Sequence, residues 1–235
     1  MSRRRSESCP IRQEEVASQS ELDPQRLYSS PRADAHWNIS KAHLIYTFMK
    51  NEGPVRALAI SGSLRRASSN SALVGAVARL APDTVEMSIY RELAELPPFN
   101  PDLEGDTVPE AVTEFRARLQ ACDAVLISSP EYAHGVPGVM KNALDWVISG
   151  GELVDKPIAL VNPSARATHA WASLAETLAV MSAHVIRDAS ITVSLEGRTL
   201  DANGIVADPE LSTALRSAID ALAFAVREKR RLRRP

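Results

Sequence analysis

A chain of 235 residues with 45% hydrophobic and 24% charged residues holds enough apolar material for one sizeable core, and a net charge of -2 gives no reason to expect nucleic acid or an anionic membrane as partner. Cys9 and Cys122 are too few and too far apart for a disulfide framework or a zinc knuckle, which fits a reducing, cytoplasmic setting. No run approaches the roughly 20 apolar residues of a membrane span, and Ser6 to Ser20 is polar and acidic where a signal peptide would need an apolar centre, so export is not expected.

Residues 1 to about 35 mix Arg, Glu, Ser, Gln and Pro without periodicity, the composition of an unfolded tail. The segment from His36 to Met49, with Trp37, Ile39, Leu44, Ile45, Tyr46 and Phe48, is apolar enough to pack as a short helix or as an arm across a partner subunit. An alternative is that Met49 is the biological start. Residues 1–54 are therefore set apart as an extension, and 55–230 as the folded domain.

After Pro54 the pattern becomes regular: apolar runs at 55–61, 84–90, 123–128, 157–162 and 185–193 alternate with helical stretches near 70–81, 109–121, 137–149, 168–182 and 208–228. Strands alternating with helices predict a parallel sheet covered on both faces, a three-layer α/β sandwich of the flavodoxin type with five strands. Periodicity does not give strand order, so a singly wound or Rossmann order stays open. The last helix carries the clearest stripe, Leu211, Leu215, Ile219, Leu222 and Val226, and ends in a basic run, Arg227 to Arg234, read as a solvated helix end.

Two loops stand out. Gly62 to Asn70 joins the end of the first strand to the start of a helix, where unpaired N–H groups and the macrodipole favour an anion. Ser63, Ser68, Ser69 and Asn70 can donate or cap there, and Arg65 and Arg66 bring charge. Ser128 to Gly138 follows the third strand, with Pro130, Gly135, Pro137 and Gly138 shaping a rigid platform that carries Tyr132 and His134. In a flavodoxin-like order these loops flank the topological switch point, and a phosphate pocket beside a flat platform suits a ligand with a phosphate at one end and a ring at the other.

The runs Gly62-Ser-Leu-Arg-Arg-Ala-Ser-Ser-Asn70 and Pro130-Glu-Tyr-Ala-His-Gly-Val-Pro-Gly-Val-Met-Lys-Asn-Ala-Leu-Asp-Trp146 resemble the two signature loops of the NADPH-dependent FMN reductase family, over about residues 55 to 195. The resemblance implies bound FMN, with its phosphate on Ser63, Arg65, Ser68, Ser69 and Asn70 and its ring against Pro130, Glu131, Tyr132, His134 and Gly135. Backbone donors near Glu131 and Tyr132 are expected to face the ring. A third loop, glycine-rich in relatives, reads Asn162 to Thr168 here and offers Ser164 and Arg166. NADPH or NADH is implied as a transient hydride donor, consistent with the absence of a GxGxxG fingerprint. A quinone-like, azo, metal-oxyanion or free-flavin acceptor follows, and no acid or base side chain is assigned to catalysis.

No metal site is expected, because His36, His43, His169 and His184 lack ligand spacing. Lys141 and Asp145, four apart, suit a surface pair. The resemblance also implies a homodimer or homotetramer, and Val139, Met140, Leu144, Trp146 and Val147 on one helix suit a buried face against a partner. The competing class is a non-catalytic FMN-binding electron carrier or redox sensor. Neither the acceptor nor the NADPH-against-NADH preference is legible in the sequence.

Overall fold

The computed structural model describes residues 53–233, so the expected tail, the segment 36–49 and the status of Met49 lie outside the described residues. Strand β1 spans Val55–Ser61, β2 Val85–Tyr90, β3 Ala124–Ser128 and β4 Pro157–Asn162. Helix α1 spans Ser69–Leu80, α2 Glu110–Ala121, α3 Gly138–Asp145 and α4 Thr168–Val180. All strand pairs are parallel, in the order β2-β1-β3-β4 followed by the short β5, His184–Val185. This is the flavodoxin strand order, and it closes the alternatives that periodicity left open.

The expected fifth strand over 185–193 is broken into two. After β5 the chain makes a tight turn at Arg187–Ala189, then rejoins β4 as β6, Ile191–Thr192. The physical reason is a substituted ladder bond: the Leu160 N–H donates to the Ser190 hydroxyl at 3.1 Å instead of to a backbone carbonyl.

Alternation along the strands sorts the core into two layers. Val55, Ala57 and Ala59 of β1, Ala124 and Leu126 of β3, and Ala159 and Val161 of β4 face α1 and the last helix, α6, Pro209–Leu232. Leu58 and Ile60, Val125 and Ile127, and Ile158 and Leu160 face the opposite layer, with Phe115, Trp146 and Leu178. A six-residue helix, α5 (Ala202–Ala207), was not anticipated from the sequence. It is capped by Asp201, whose carboxylate accepts from Gly204 N at 2.8 Å.

The second signature run divides its labour. Asn142 and Trp146 fasten the loop ahead of α2: Asn142 accepts from Phe99 N at 2.7 Å and donates to Pro97 O at 2.9 Å, and the Trp146 indole N–H donates to the same carbonyl at 2.7 Å. Phe99 meets Trp146 edge to face, with ring centroids 5.0 Å apart. Lys141 and Asp145 pair on the surface, as their spacing predicted. Met140, Leu144, Trp146 and Val147 are all buried in the chain's own core, so the apolar stripe suggested for a partner is already covered, and Ile148 is the large apolar residue left exposed there.

The basic end of α6 is more engaged than a solvated helix end. Arg230 bridges to Asp123 at 2.7 Å, Lys229 donates to the Asp155 carbonyl, and Arg233 reaches the Asp155 carboxylate at 3.2 Å. Those contacts carry the helix past residue 228 to Leu232. Among the described residues, no helix is long and apolar enough to cross a membrane.

Candidate functional site

The loops that leave β1, β3 and β4 emerge together at the carboxyl end of the sheet. β1 and β3 end in register, Ser61 beside Ser128, and the Gly62 N–H donates to Ser128 O at 2.8 Å, extending the pairing into the first loop. A Cβ on Gly62 would lie 2.4 Å from Ser129 Oγ and 3.2 Å from Ser129 Cα, so only glycine lets the two loops approach this closely.

The first loop is knitted by hydroxyls and leaves its amides open. Ser63 N donates to Ser61 Oγ at 3.3 Å, and Arg65 N to Ser63 Oγ at 3.4 Å. Ser68 caps α1 by accepting from Ser71 N, while Ser61 and Ser71 share a hydroxyl bond at 2.9 Å. Among the described residues, the N–H groups of Leu64, Arg66, Ala67, Ser69 and Asn70 have no partner. A set of unpaired donors at a helix start, with the Arg65 and Arg66 side chains exposed beside it, is a fitting cradle for a phosphate dianion. Asn70 is buried, and its side-chain oxygen accepts from Ser128 Oγ at 2.9 Å, so it also ties α1 to β3.

The platform after β3 is a two-residue hairpin. Tyr132 and Gly135 exchange backbone bonds of 3.1 and 2.9 Å, and Ala133 and His134 between them sit at φ 49° and 61°. Positive φ at both central residues defines a type I′ turn, here built without glycine and therefore strained. The turn presents Tyr132 and His134 to solvent. It also spends the Tyr132 N–H on Gly135, leaving the Glu131 N–H as the donor of that pair with no partner among the described residues. The Glu131 carboxylate reaches across to α4, accepting from Ala170 N at 2.8 Å in the first turn of that helix.

The third loop replaces glycines with a braced polar turn. Asn162 Oδ1 accepts from Ser164 N at 3.0 Å, and Ser164 Oγ from Arg166 N at 3.2 Å. The Ser164 and Arg166 side chains then converge on Glu196: Ser164 donates to one carboxylate oxygen at 2.7 Å, and Arg166 Nε and Nη2 to the other at 2.9 and 2.8 Å. The Arg166 and Ser164 hydrogen bonds hold the Glu196 carboxyl below its ordinary range. Glu196 stands opposite because backbone pairing continues past β6, with Val193 N on Asn162 O and Leu195 N on Pro163 O, both at 2.9 Å.

Between these walls lies a cleft of about 610 Å³, within the usual range for small-molecule sites. Six of the candidate residues line it: Ser69, Asn70, Pro130, Glu131, Ser164 and Arg166. Ser63, Arg65 and Ser68 belong to the first loop behind it, and Tyr132, His134 and Gly135 form the hairpin at its side. Two features were missed by sequence reasoning. The segment Leu195–Thr199 forms a fourth wall, and His169, at the start of α4, packs at a tilt of 46° against His134 with ring centroids 4.3 Å apart. Neither carries a local signal, since both are brought in by the tertiary fold.

A profile of NADPH-dependent FMN reductases matches residues 55–196. The chain belongs to that family. It is similar to an NAD(P)H-dependent FMN reductase of Pseudomonas aeruginosa, 31% identical over 181 residues, covering 75% of this chain and 97% of the relative. A probable NADPH:quinone oxidoreductase of Oryza sativa subsp. japonica is 31% identical over 182 residues, covering 74% and 90%. Among solved structures, a flavoenzyme NAD(P)H:(acceptor) oxidoreductase of Paracoccus denitrificans superimposes with a TM-score of 0.60 at 27% identity, covering 74% of this chain and 98% of that one. Membership in the FMN reductase family makes this chain an oxidoreductase that uses FMN, with NAD(P)H as hydride donor. The unpaired amide cradle of the first loop fits the flavin phosphate.

Proposed function

We propose that this FMN reductase passes reducing equivalents to a quinone-like acceptor, with azo compounds, metal oxyanions and free flavin as further acceptors of the same open site. When bound, FMN supplies the chemistry: hydride in from the nicotinamide, reducing equivalents out to the acceptor. The observation that carries the reading is the meeting, at one end of the sheet, of an amide cradle for a phosphate and a rigid, exposed hairpin beside a cleft open to solvent.

The chain's own residues anchor and orient. Ser63, Arg65, Ser68, Ser69 and Asn70 hold the phosphate; Pro130, Glu131, Tyr132, His134 and Gly135 line the ring, with the Glu131 amide as the donor toward charge developing on it. Ser164 shapes the third wall through Glu196. The quinone reading draws on the Oryza relative's name, and the breadth of the acceptor list on the exposed platform. A homodimer or homotetramer and a cytoplasmic setting belong to the same reading.

Steady-state NADPH oxidation by the purified flavoprotein, with quinones, azo dyes and oxyanions offered in turn, tests it. Turnover with a quinone supports the reading. NADPH consumption that no acceptor stimulates would reduce the protein to an electron carrier.

A further inference from the structure

Three side-chain clusters outside the phosphate cradle bear on ligand choice: the Lys156, Lys229, Arg230 and Arg233 cleft at the amino end of the sheet, the His134–His169 ring pair, and the Arg166–Glu196 clasp at the main cleft. In the first, each cation already serves a carbonyl or a carboxylate of the fold; Lys156, for instance, is buried against the carbonyls of Leu119 and Cys122 at the end of α2. The ring pair stands outside the lining of the main cleft. The clasp is different, because it lies on the cleft and leaves donors unused.

We propose that Arg166, oriented by Glu196, binds a phosphate of the nicotinamide nucleotide that delivers hydride, and does not contact the flavin. The inference rests on the FMN-dependent reading above. The flavin phosphate already has its cradle in the first loop. The hydride donor brings its own phosphates and must leave before the acceptor enters, so its contacts belong on an exposed rim and not in a buried pocket. Arg166 fits that demand: its side chain is 83% exposed, while Glu196, at 29%, fixes it in place.

Orientation is what the clasp supplies. Arg166 Nε and Nη2 both donate to one oxygen of Glu196, and among the described residues Nη1 donates to nothing. A planar guanidinium held along one edge presents its other edge to an incoming anion, with less side-chain entropy to lose on binding. Arg198, the other arginine on the cleft, is the less exposed of the two, 44% against 83% for Arg166. Arg198 pairs with Asp208 at 2.5 Å, and Asp208 in turn caps α6 by accepting from Glu210 N and Leu211 N. The chain has no GxGxxG turn to grip a dinucleotide, which leaves the task to side chains of this kind.

The test is steady-state kinetics of the full chain, loaded with FMN, at saturating 1,4-benzoquinone, with NADPH and NADH as alternative donors to the wild type, Arg166→Ala and Arg166→Lys. The expected result for Arg166→Ala is a KM for nucleotide raised about tenfold or more, the effect of losing a charge-assisted contact, with kcat, the KM for quinone and the flavin-to-protein ratio unchanged. Arg166→Lys should fall between, since it keeps charge and loses the planar fork. A rise confined to NADPH assigns the contact to the 2′-phosphate, and an equal rise with NADH assigns it to the pyrophosphate; both support the proposal. Unchanged KM values for both nucleotides overturn it, as does loss of flavin from Arg166→Ala, which would return Arg166 to the flavin. Wild-type protein that binds no FMN or oxidises no NADPH contradicts the underlying reading, and that arm is separate from the variants.

Discussion

Ser128, at the end of β3, donates its hydroxyl to Asn70 Oδ1 in the first turn of α1, 2.9 Å away, and both side chains are buried. One bond therefore couples the first loop to the strand that carries the platform. Asn70→Ala would leave a buried hydroxyl without its acceptor, at a cost of about 1–3 kcal/mol. We expect a lower urea midpoint and weaker FMN retention together. An Asn70→Ala protein as stable as the parent and equally yellow would show that the two loops are held independently.

Gly62 should tolerate no side chain. Its Cβ would meet Ser129 Oγ, Cβ and Cα at 2.4, 3.0 and 3.2 Å, and the last of these is backbone that cannot rotate away. Gly62→Ala is expected to destabilise by about 1–3 kcal/mol, as overpacking does, and to release FMN by spreading the loops. Adding Ser129→Gly removes two of the three clashes, so the double variant should recover part of the midpoint; no recovery would locate the damage elsewhere.

The hairpin stores strain that glycine would relieve. Ala133 sits at φ 49°, where an L-residue costs roughly 1–2 kcal/mol and a glycine loses about 0.5–1 kcal/mol of unfolded-state freedom. Ala133→Gly should thus raise stability by up to about 1.5 kcal/mol. A lower urea midpoint would mean that the Ala133 methyl makes contacts worth more than the strain.

Acid should loosen the molecule in a defined window. Hydrogen bonds from Arg166 to Glu196, from Ser149 to Glu104 and from Arg198 to Asp208 hold all three carboxyls below their ordinary values. A carboxyl lowered by folding contributes stability that is present above its unfolded value and lost as pH falls through the folded one. The urea midpoint should therefore be insensitive to these groups between pH 6 and 8, and decline below the ordinary glutamate value of 4.5. Glu196→Gln should blunt that decline; an unchanged acid limb would remove the clasp as a contributor.

Much of this was legible in the sequence, for local reasons. The four long strands and the five long helices announce themselves through periodicity, and Ser68 through capping chemistry, whereas Asn70, read as a possible donor or cap, instead accepts from Ser128. The breaks in the pattern were not legible. The gap between β5 and β6 depends on Ser190 meeting Leu160 across strands, and α5 is too short to show a stripe. Asn142 and Trp146 read as motif letters, yet their partners, Pro97 and Phe99, are more than 40 residues away. Glu196 carried no signal at all. Its place opposite Ser164 and Arg166 comes from β6 continuing the ladder of β4, a contact between distant segments that spacing cannot reveal.

NADPH should reduce a flavin held between the first two loops. Anaerobic stopped-flow mixing of the purified yellow protein with NADPH, without acceptor, tests it most directly. The flavin absorbance should bleach on mixing and return when a quinone is added. A yellow form that persists for minutes in excess NADPH would contradict it.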